Sequence, residues 1–132
     1  MGEGQRTGAL RALALVSGVY DLALAVSMLL FAPAVAGMMG APPPVPVVNA
    51  QLNGVFTLTL AVGYFWAAAD VQARRGYLWC AGVLAKGLGA GLFVADHLLR
   101  HSPASFLAFV ATDGTLAVVT LVLLLRARPG RA

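Results

Sequence analysis

Four long apolar segments dominate the pattern of hydrophobic and polar positions along the chain. They cover approximately residues 10–31, 47–69, 77–99 and 103–125, and short polar or proline-rich stretches separate them. Each is about as long as the ~20 apolar residues that a helix needs to cross the hydrocarbon core of a bilayer. Lipid cannot satisfy open backbone groups, so segments of this kind are expected to be helical. The pattern predicts an all-α, polytopic membrane protein in which residues 1–132 form a single four-transmembrane-helix bundle.

The connecting stretches differ in character. Residues 1–8 are polar and contain three glycines, which predicts a frayed tail. Residues 32–46 carry no charge and include the prolines of 42–44 and 46, which favour polyproline II and remove backbone donors. We expect a short interfacial turn around residues 35–39, followed by an extended cap over the outer end of the bundle.

Arginine is distributed unevenly between the two ends of the predicted helices. Arg100 alone lies at one end, and the other seven lie at the opposite end: Arg6, Arg11, Arg74, Arg75, Arg126, Arg128 and Arg131. The positive-inside rule predicts that both termini and the second loop are cytoplasmic and that the protein is a multi-pass protein of the cell (inner) membrane. The net charge of +4 would suggest nucleic acid in a soluble protein. Because the basic residues lie at helix ends here, we expect the lipid bilayer, and no nucleic acid, as the partner.

Lys86 stands near the middle of the third apolar segment, where a charge costs roughly 3 kcal/mol or more unless it faces protein or water. Asp21 and Asp113 lie at comparable depth in the first and fourth segments. Asn53 and Thr57 share one face of the second segment with Tyr64, and this face is expected to point inward because amides are costly in lipid. We therefore predict a buried polar cluster or ligand pocket of five residues: Asp21, Asn53, Thr57, Lys86 and Asp113.

Two interpretations of this cluster stay open at the level of sequence. A buried ion pair would fix the register of the helices. Alternatively, the cluster would form a pocket for a ligand head group, a proton or an ion, because intramembrane charge is expensive and typically functional. Two aspartates exceed what one lysine neutralises, which leaves an excess negative charge or a shared proton.

A second polar group, Asp96, His97 and His101, lies at the outer end of the third segment. His97 and His101 are four residues apart, the spacing of two-histidine metal sites, but no third ligand is evident and no metal is predicted. A solvated helix end with a local Asp96–Arg100 contact is the simpler interpretation. The sequence shows no catalytic signature such as GxSxG, HExxH or a phosphate-binding loop, which favours a non-enzymatic role.

The layout resembles the DoxX-like group of small four-helix bacterial membrane proteins, whose relatives include uncharacterised proteins. The resemblance is carried by Arg11 with the Tyr20-Asp21 pair, by the connector from Phe31 to Pro46, and by the segment from Tyr64 to Ala90. It covers nearly the whole chain. It implies a four-helix membrane protein sometimes associated with oxidoreductase or quinone-linked systems, and it transfers no catalytic residue.

Three functions are compatible with these features. The first is a non-enzymatic partner subunit, for example of a membrane oxidoreductase, or a module that binds a lipophile such as a quinone or isoprenoid. The second is a small proton-coupled transporter that acts as a dimer. The third is an intramembrane isomerase or an oxidoreductase component, with Asp21 or Asp113 as the acid and an external cofactor. No resident cofactor is predicted, apart from a bound quinone or lipid.

Overall fold

The computed structural model describes residues 2–127, which form five helices and no strand. Four are long and apolar enough to cross a membrane: α1 (Glu3–Leu30), α3 (Val47–Ala69), α4 (Arg75–Arg100) and α5 (Ala104–Arg126). The short helix α2 (Ala32–Met38) lies between α1 and α3. The predicted all-α, multi-pass membrane protein with a four-helix bundle is confirmed. Two arginines of the predicted cytoplasmic side, Arg128 and Arg131, lie outside the described residues.

The predicted frayed tail at the N-terminus is wrong, because α1 already begins at Glu3. The backbone N–H of Gly2 donates to the side chain of Gln5 at 2.9 Å, which caps the first turn. Glu3 adds a negative charge where the helix dipole favours one. The tail is also anchored to its neighbours, since Gln72 donates a hydrogen bond to the hydroxyl of Thr7 at 3.0 Å.

The bundle consists of two antiparallel helix pairs, α1 with α3 and α4 with α5, and the pairs meet where α1 contacts α5 and where α3 contacts the first part of α4. Gly54 lies where α3 approaches α1, since a Cβ there would come within 3.2 Å of the Ala25 carbonyl oxygen. Gly82 likewise lies at a close contact between α4 and α5, where a Cβ would come within 2.8 Å of the Thr120 methyl group. Small residues at such positions allow membrane helices to pack closely.

The two pairs diverge toward one end. Helix α3 contacts α4 through residues 75–85, but scarcely through Lys86–Arg100 within the described chain. We call the end with the α3–α4 loop the inner end and the end with α2 and the α4–α5 loop the outer end. The main cluster of buried residues lies in the inner half: Leu10, Ala14, Tyr64, Ala67, Ala68, Val71, Leu78, Ala81, Leu124 and Ala127.

Arginine side chains close the inner end by donating to backbone carbonyls near the ends of helices. Arg6 donates to the carbonyl of Arg126 at 2.6 Å, and Arg75 donates to that of Leu124 at 2.7 Å. Arg74 donates to the carbonyl of Trp66, and its guanidinium lies 4.4 Å from the centre of that indole ring. The last carbonyls of a helix have no partner within the helix and favour nearby cations. These arginines therefore stabilise the helix ends.

The outer end is covered by α2 and the extended chain that follows it. The expected interfacial turn is a helix of 7 residues, and residues 40–46 then run as the expected extended segment without regular helix. Ser105 at the start of α5 donates a hydrogen bond to the carbonyl of Met39 at 2.5 Å. This bond attaches the connector to the opposite helix pair.

Candidate functional site

Lys86 joins three helices through two ion pairs in the middle of the bundle. Its ammonium nitrogen lies 2.7 Å from Oδ1 of Asp21 on α1 and 2.9 Å from Oδ1 of Asp113 on α5. Asp21 is 3% exposed and Lys86 7% exposed, whereas Asp113 is only partly buried. The predicted buried Asp/Lys/Asp cluster is confirmed.

A π-helical stretch, Leu78–Ala85, precedes Lys86 within α4. Leu78, Gly82, Lys86 and Ala90 are all buried, at a constant spacing of four residues. In a regular α-helix, each step of four residues displaces the side chain by about 40° around the helix axis. The fourth residue of such a row would therefore no longer face the interface. The wider turn of the π-helix reduces this rotation. It thereby keeps Lys86 on the buried face that begins at Leu78.

Two tyrosine rings flank the ammonium group. Its nitrogen lies 4.8 Å from the ring centre of Tyr20 and 5.7 Å from that of Tyr64, within the range of cation–π attraction. The hydroxyl of Tyr20 lies 2.7 Å from that of Thr112, which itself donates to the carbonyl of Ala108 at 3.0 Å. Tyr20 is therefore the donor in the pair with Thr112, and its ring is held in place beside Lys86.

Not all hydrogen-bonding capacity of the cluster is used. Lys86 has three N–H groups, of which two reach the aspartates. Oδ2 of Asp21 is buried and has no hydrogen-bond partner within residues 2–127. With both carboxylates ionised and one ammonium, the cluster carries a formal charge of −1.

A cavity of about 170 Å³ lies beside the cluster, in the space that opens where α3 and α4 diverge. Its polar lining comes from Asp21, Thr57, Lys86 and Asp113. Six apolar residues complete the wall: Leu24, Met28, Leu60, Ala85, Phe93 and Phe109.

A second, almost wholly apolar cavity of about 280 Å³ lies under the outer connector. It shares Met28, Phe93 and Phe109 with the polar cavity, so the two are neighbours with a common wall. The rings of Phe93 and Phe109 stack with their centres 5.2 Å apart. The remaining lining residues come from α2, the connector and the nearby helices: Ala32, Val35, Ala36, Met39, Ala41, Pro42, Pro44, Ala50 and Phe106.

No family model, curated protein or solved structure matches this chain. A proposal for the function of this chain therefore depends on the cluster and the two cavities.

Asn53 is not brought to the cluster, contrary to our prediction. It is exposed and is not among the residues that line the polar cavity, although Thr57, one turn further along α3, is. At 100° per residue, Asn53 and Tyr64 lie on nearly the same side of α3. Tyr64 is buried because α4 covers this side of α3 at the inner end, whereas α4 has diverged from α3 at the level of Asn53.

The outer polar group does not converge on a common point. Asp96 pairs with Arg100 at 2.6 Å in an exposed i,i+4 contact. Nδ1 of His97 lies 2.8 Å from the carbonyl oxygen of Ser102, whereas His101 ends α4 in a left-handed conformation with φ of 59°. Across residues 2–127, no group of three or more His, Cys, Asp and Glu side chains is placed to hold a metal ion.

Sequence reasoning missed the role of Tyr20 and the part of Met28 in the wall that the two cavities share. Tyr20 precedes Asp21, so its position beside a charged residue was visible, but its contact with Lys86 depends on how α1 and α4 face each other. Met28 carries no chemical signal of its own. Its helical position, seven residues beyond Asp21, is the only feature that places it on the same face.

Proposed function

We propose that this protein is a non-enzymatic membrane protein that binds a small amphiphile, with the polar head at the Asp21–Lys86–Asp113 cluster and the apolar tail in the neighbouring cavity. One observation carries the proposal. The polar cavity and the apolar cavity share Met28, Phe93 and Phe109, so a site with buried charges adjoins a space that suits a hydrocarbon chain. Ligand sites typically combine a mainly apolar wall with a few polar groups in this way.

A purely structural ion-pair cluster explains less of this geometry. Charged groups that only fix helix register are best enclosed by protein, because incomplete pairing in lipid is costly. Here Asp113 lines an open space, and one oxygen of Asp21 has no partner within residues 2–127. The carboxylate of Asp113 is thus left where a ligand in the cavity would meet it.

Quinones and isoprenoids are the ligand classes that we propose, because each joins one polar head to a long apolar tail. We likewise propose that this protein is related to the DoxX-like group. That resemblance points to quinone-linked systems. A role beside a membrane oxidoreductase, or as a homo-oligomer, fits the same proposal. Proton-coupled transport is less well supported, since Lys86 bonds one oxygen of each aspartate and neither is the unpaired carboxylate on which such exchange would depend.

The test is ligand-dependent thermal stabilisation of the purified protein, because a ligand that binds only the folded state raises the unfolding temperature. Quinones and polyprenyl lipids are added in turn to the native protein and to two variants. Asp113→Asn alters the cluster, whereas Asn53→Leu changes an exposed polar residue that does not line the cavity and serves as the control. We expect stabilisation in the native protein and in Asn53→Leu, and a weaker effect in Asp113→Asn. Equal stabilisation in all three would place the site elsewhere, and no stabilisation by any lipophile would leave the cluster a structural one.

We also propose that both termini and the α3–α4 loop face the cytoplasm, with the protein in the inner membrane. The uneven distribution of arginine supports this orientation. In this orientation, the amphiphile site lies in the half of the membrane that is further from the cytoplasm.

A further inference from the structure

We infer that the site selects amphiphiles whose head group donates hydrogen bonds, namely alcohols and protonated amines, over heads that only accept them, such as ethers and ketones. The inference rests on the proposed function and narrows its ligand class. Among isoprenoids and quinones, it favours the alcohol and the reduced, hydroxyl-bearing forms. The observation behind it is the carboxylate of Asp113, which lines the polar cavity, is only partly buried, and has one oxygen, Oδ2, that receives no hydrogen bond from the described residues.

The polar groups around the cavity are mostly acceptors. Two of the three N–H groups of Lys86 donate to the aspartates, so one donor remains for a ligand. Thr57, which lines the cavity, donates its only hydroxyl hydrogen to the carbonyl of Asn53 at 2.8 Å, so its oxygen can only accept a further hydrogen bond. Oδ2 of Asp21 and Oδ2 of Asp113 receive no hydrogen bond from the described residues. Because Oδ2 of Asp21 is fully buried, the acceptors left for a ligand are Oδ2 of Asp113 and the hydroxyl oxygen of Thr57, compared with one remaining donor on Lys86.

The charge of the cluster also favours a head group that donates hydrogen bonds. With both carboxylates ionised, the cluster carries a formal charge of −1, and within residues 2–127 no further charged residue lines the polar cavity. In a medium of low dielectric constant, this excess attracts a cation or the positive end of an O–H dipole. It repels an anionic head such as a carboxylate. The cluster is therefore complementary to a donor and not to an acid.

A head group that only accepts would leave Oδ2 of Asp113 without a hydrogen bond in the complex. A buried acceptor without a partner is destabilising, and sites that hydrogen-bond a ligand hydroxyl discriminate strongly against analogues that lack it. An alcohol or an ammonium provides the missing hydrogen. Water would do so as well, in which case no amphiphile is selected.

The experiment compares four compounds with the same 16-carbon chain in nanodiscs of phosphatidylcholine, whose head group has no hydrogen-bond donor. The compounds are hexadecan-1-ol, hexadecylamine, hexadecyl methyl ether and palmitate, added at equal mole fractions in the bilayer. The unfolding temperature is followed as a function of ligand concentration. We expect the alcohol and the amine to bind roughly tenfold more tightly than the ether, or better. Palmitate should have the smallest effect.

Failure of this inference can be told apart from failure of the proposed function. Binding of the ether as tightly as the alcohol, or preferential binding of palmitate, would overturn the donor preference while the amphiphile site remained. Absence of stabilisation by all four would overturn both and indicate a cavity that holds only water.

A variant reverses the polarity of the decisive oxygen. Asp113→Asn can still accept from Lys86 through its amide oxygen while it presents an N–H₂ group in place of Oδ2. We expect the ether to bind more tightly relative to the alcohol in this variant, so that the preference between them shrinks or inverts. Asn53→Leu should keep the native preference. An unchanged preference in Asp113→Asn would overturn the assignment to Asp113, and if the variant does not fold, the comparison of head groups in the native protein still decides the matter.

Discussion

The inner and outer halves of this bundle are built differently, although the same four helices pass through both. In the inner half, small and aromatic side chains pack into a continuous core around Tyr64, which is 1% exposed. In the outer half, α3 and α4 have diverged, and two neighbouring cavities lie between the helices and the proline-rich connector. Lys86 and its two aspartates lie at the boundary between the halves.

This contrast separates the parts that hold the fold from the part that can receive a ligand. Arginine-to-carbonyl hydrogen bonds and close helix contacts maintain the inner half. The outer half can then keep unfilled space without loss of the architecture.

Loss of Lys86 should be the most destabilising single change. Lys86→Met leaves two carboxylates at membrane depth without their cation, and removal of one partner from a buried ion pair costs about 3–5 kcal/mol. Thermal unfolding in detergent measures the effect. The triple variant Lys86→Met, Asp21→Asn, Asp113→Asn should recover part of the loss, because no uncompensated charge remains. A neutral Lys86→Met would show that the cluster is already well hydrated.

Close packing in the inner half predicts a strong effect of one added methyl group. A Cβ at Gly63 would overlap the ring of Tyr77, whose hydroxyl donates to the carbonyl of Leu60 at 2.5 Å. We expect Gly63→Ala to cost about 1–3 kcal/mol, because the ring must move. The control is Gly87→Ala on α4, where a Cβ would meet no atom of the described residues within 4 Å. It should be neutral or slightly stabilising, and similar losses in both variants would contradict the packing contrast.

The two ends should also differ in how much an arginine contributes. Arg75 donates to the carbonyl of Leu124 in a partly buried contact, and such a charge-assisted bond contributes about 1.5 kcal/mol or more. Arg100 pairs with Asp96 while its own side chain is 80% exposed, and such a pair contributes less than about 0.5 kcal/mol. Arg75→Gln should therefore lower the unfolding temperature clearly and Arg100→Gln hardly at all. The reverse order would show that the inner end is not the more firmly held one.

The orientation of the protein in the membrane should be measurable with substitutions that leave its stability unchanged. Single cysteines are placed at Pro43 in the outer connector and at Ala73 in the α3–α4 loop, both exposed, in a Cys80→Ser background. An impermeant thiol reagent added to intact cells should label Pro43→Cys, and only lysed cells should show labelling of Ala73→Cys. Labelling of both sites from the same side would refute the proposed topology.

The architecture and the ion-pair cluster could be predicted from the sequence, because each depends on a property that can be counted along a single segment. Segment length and apolarity define the four long helices. The ion pairs followed from depth, since Asp21, Lys86 and Asp113 are each placed by residue count along a helix. With one cation and two anions at the same level in an apolar medium, pairing is the only inexpensive arrangement.

What the sequence could not show depends on how the helices diverge. Asn53 and Tyr64 have equivalent positions around α3, yet only Tyr64 is covered, because the distance between α3 and α4 changes along the bundle. The π-helical stretch before Lys86 likewise has no signal in the spacing of apolar residues. The N-terminal helix escaped prediction because its anchor, the contact between Thr7 and Gln72, joins residues 65 positions apart.

The most direct test of an amphiphile site in the outer half is photoaffinity labelling with hexadecan-1-ol that carries a diazirine in the middle of its chain. The probe is irradiated with the protein in phosphatidylcholine nanodiscs, and the labelled residues are identified by mass spectrometry with and without excess unlabelled alcohol. We predict that the label lost on competition lies on the shared wall of the two cavities, at Met28, Phe93 and Phe109. Label on lipid-facing residues such as Leu15 and Leu92 should be insensitive to the competitor. Competed label on inner-half residues, or no competed label on the shared wall, would contradict the account.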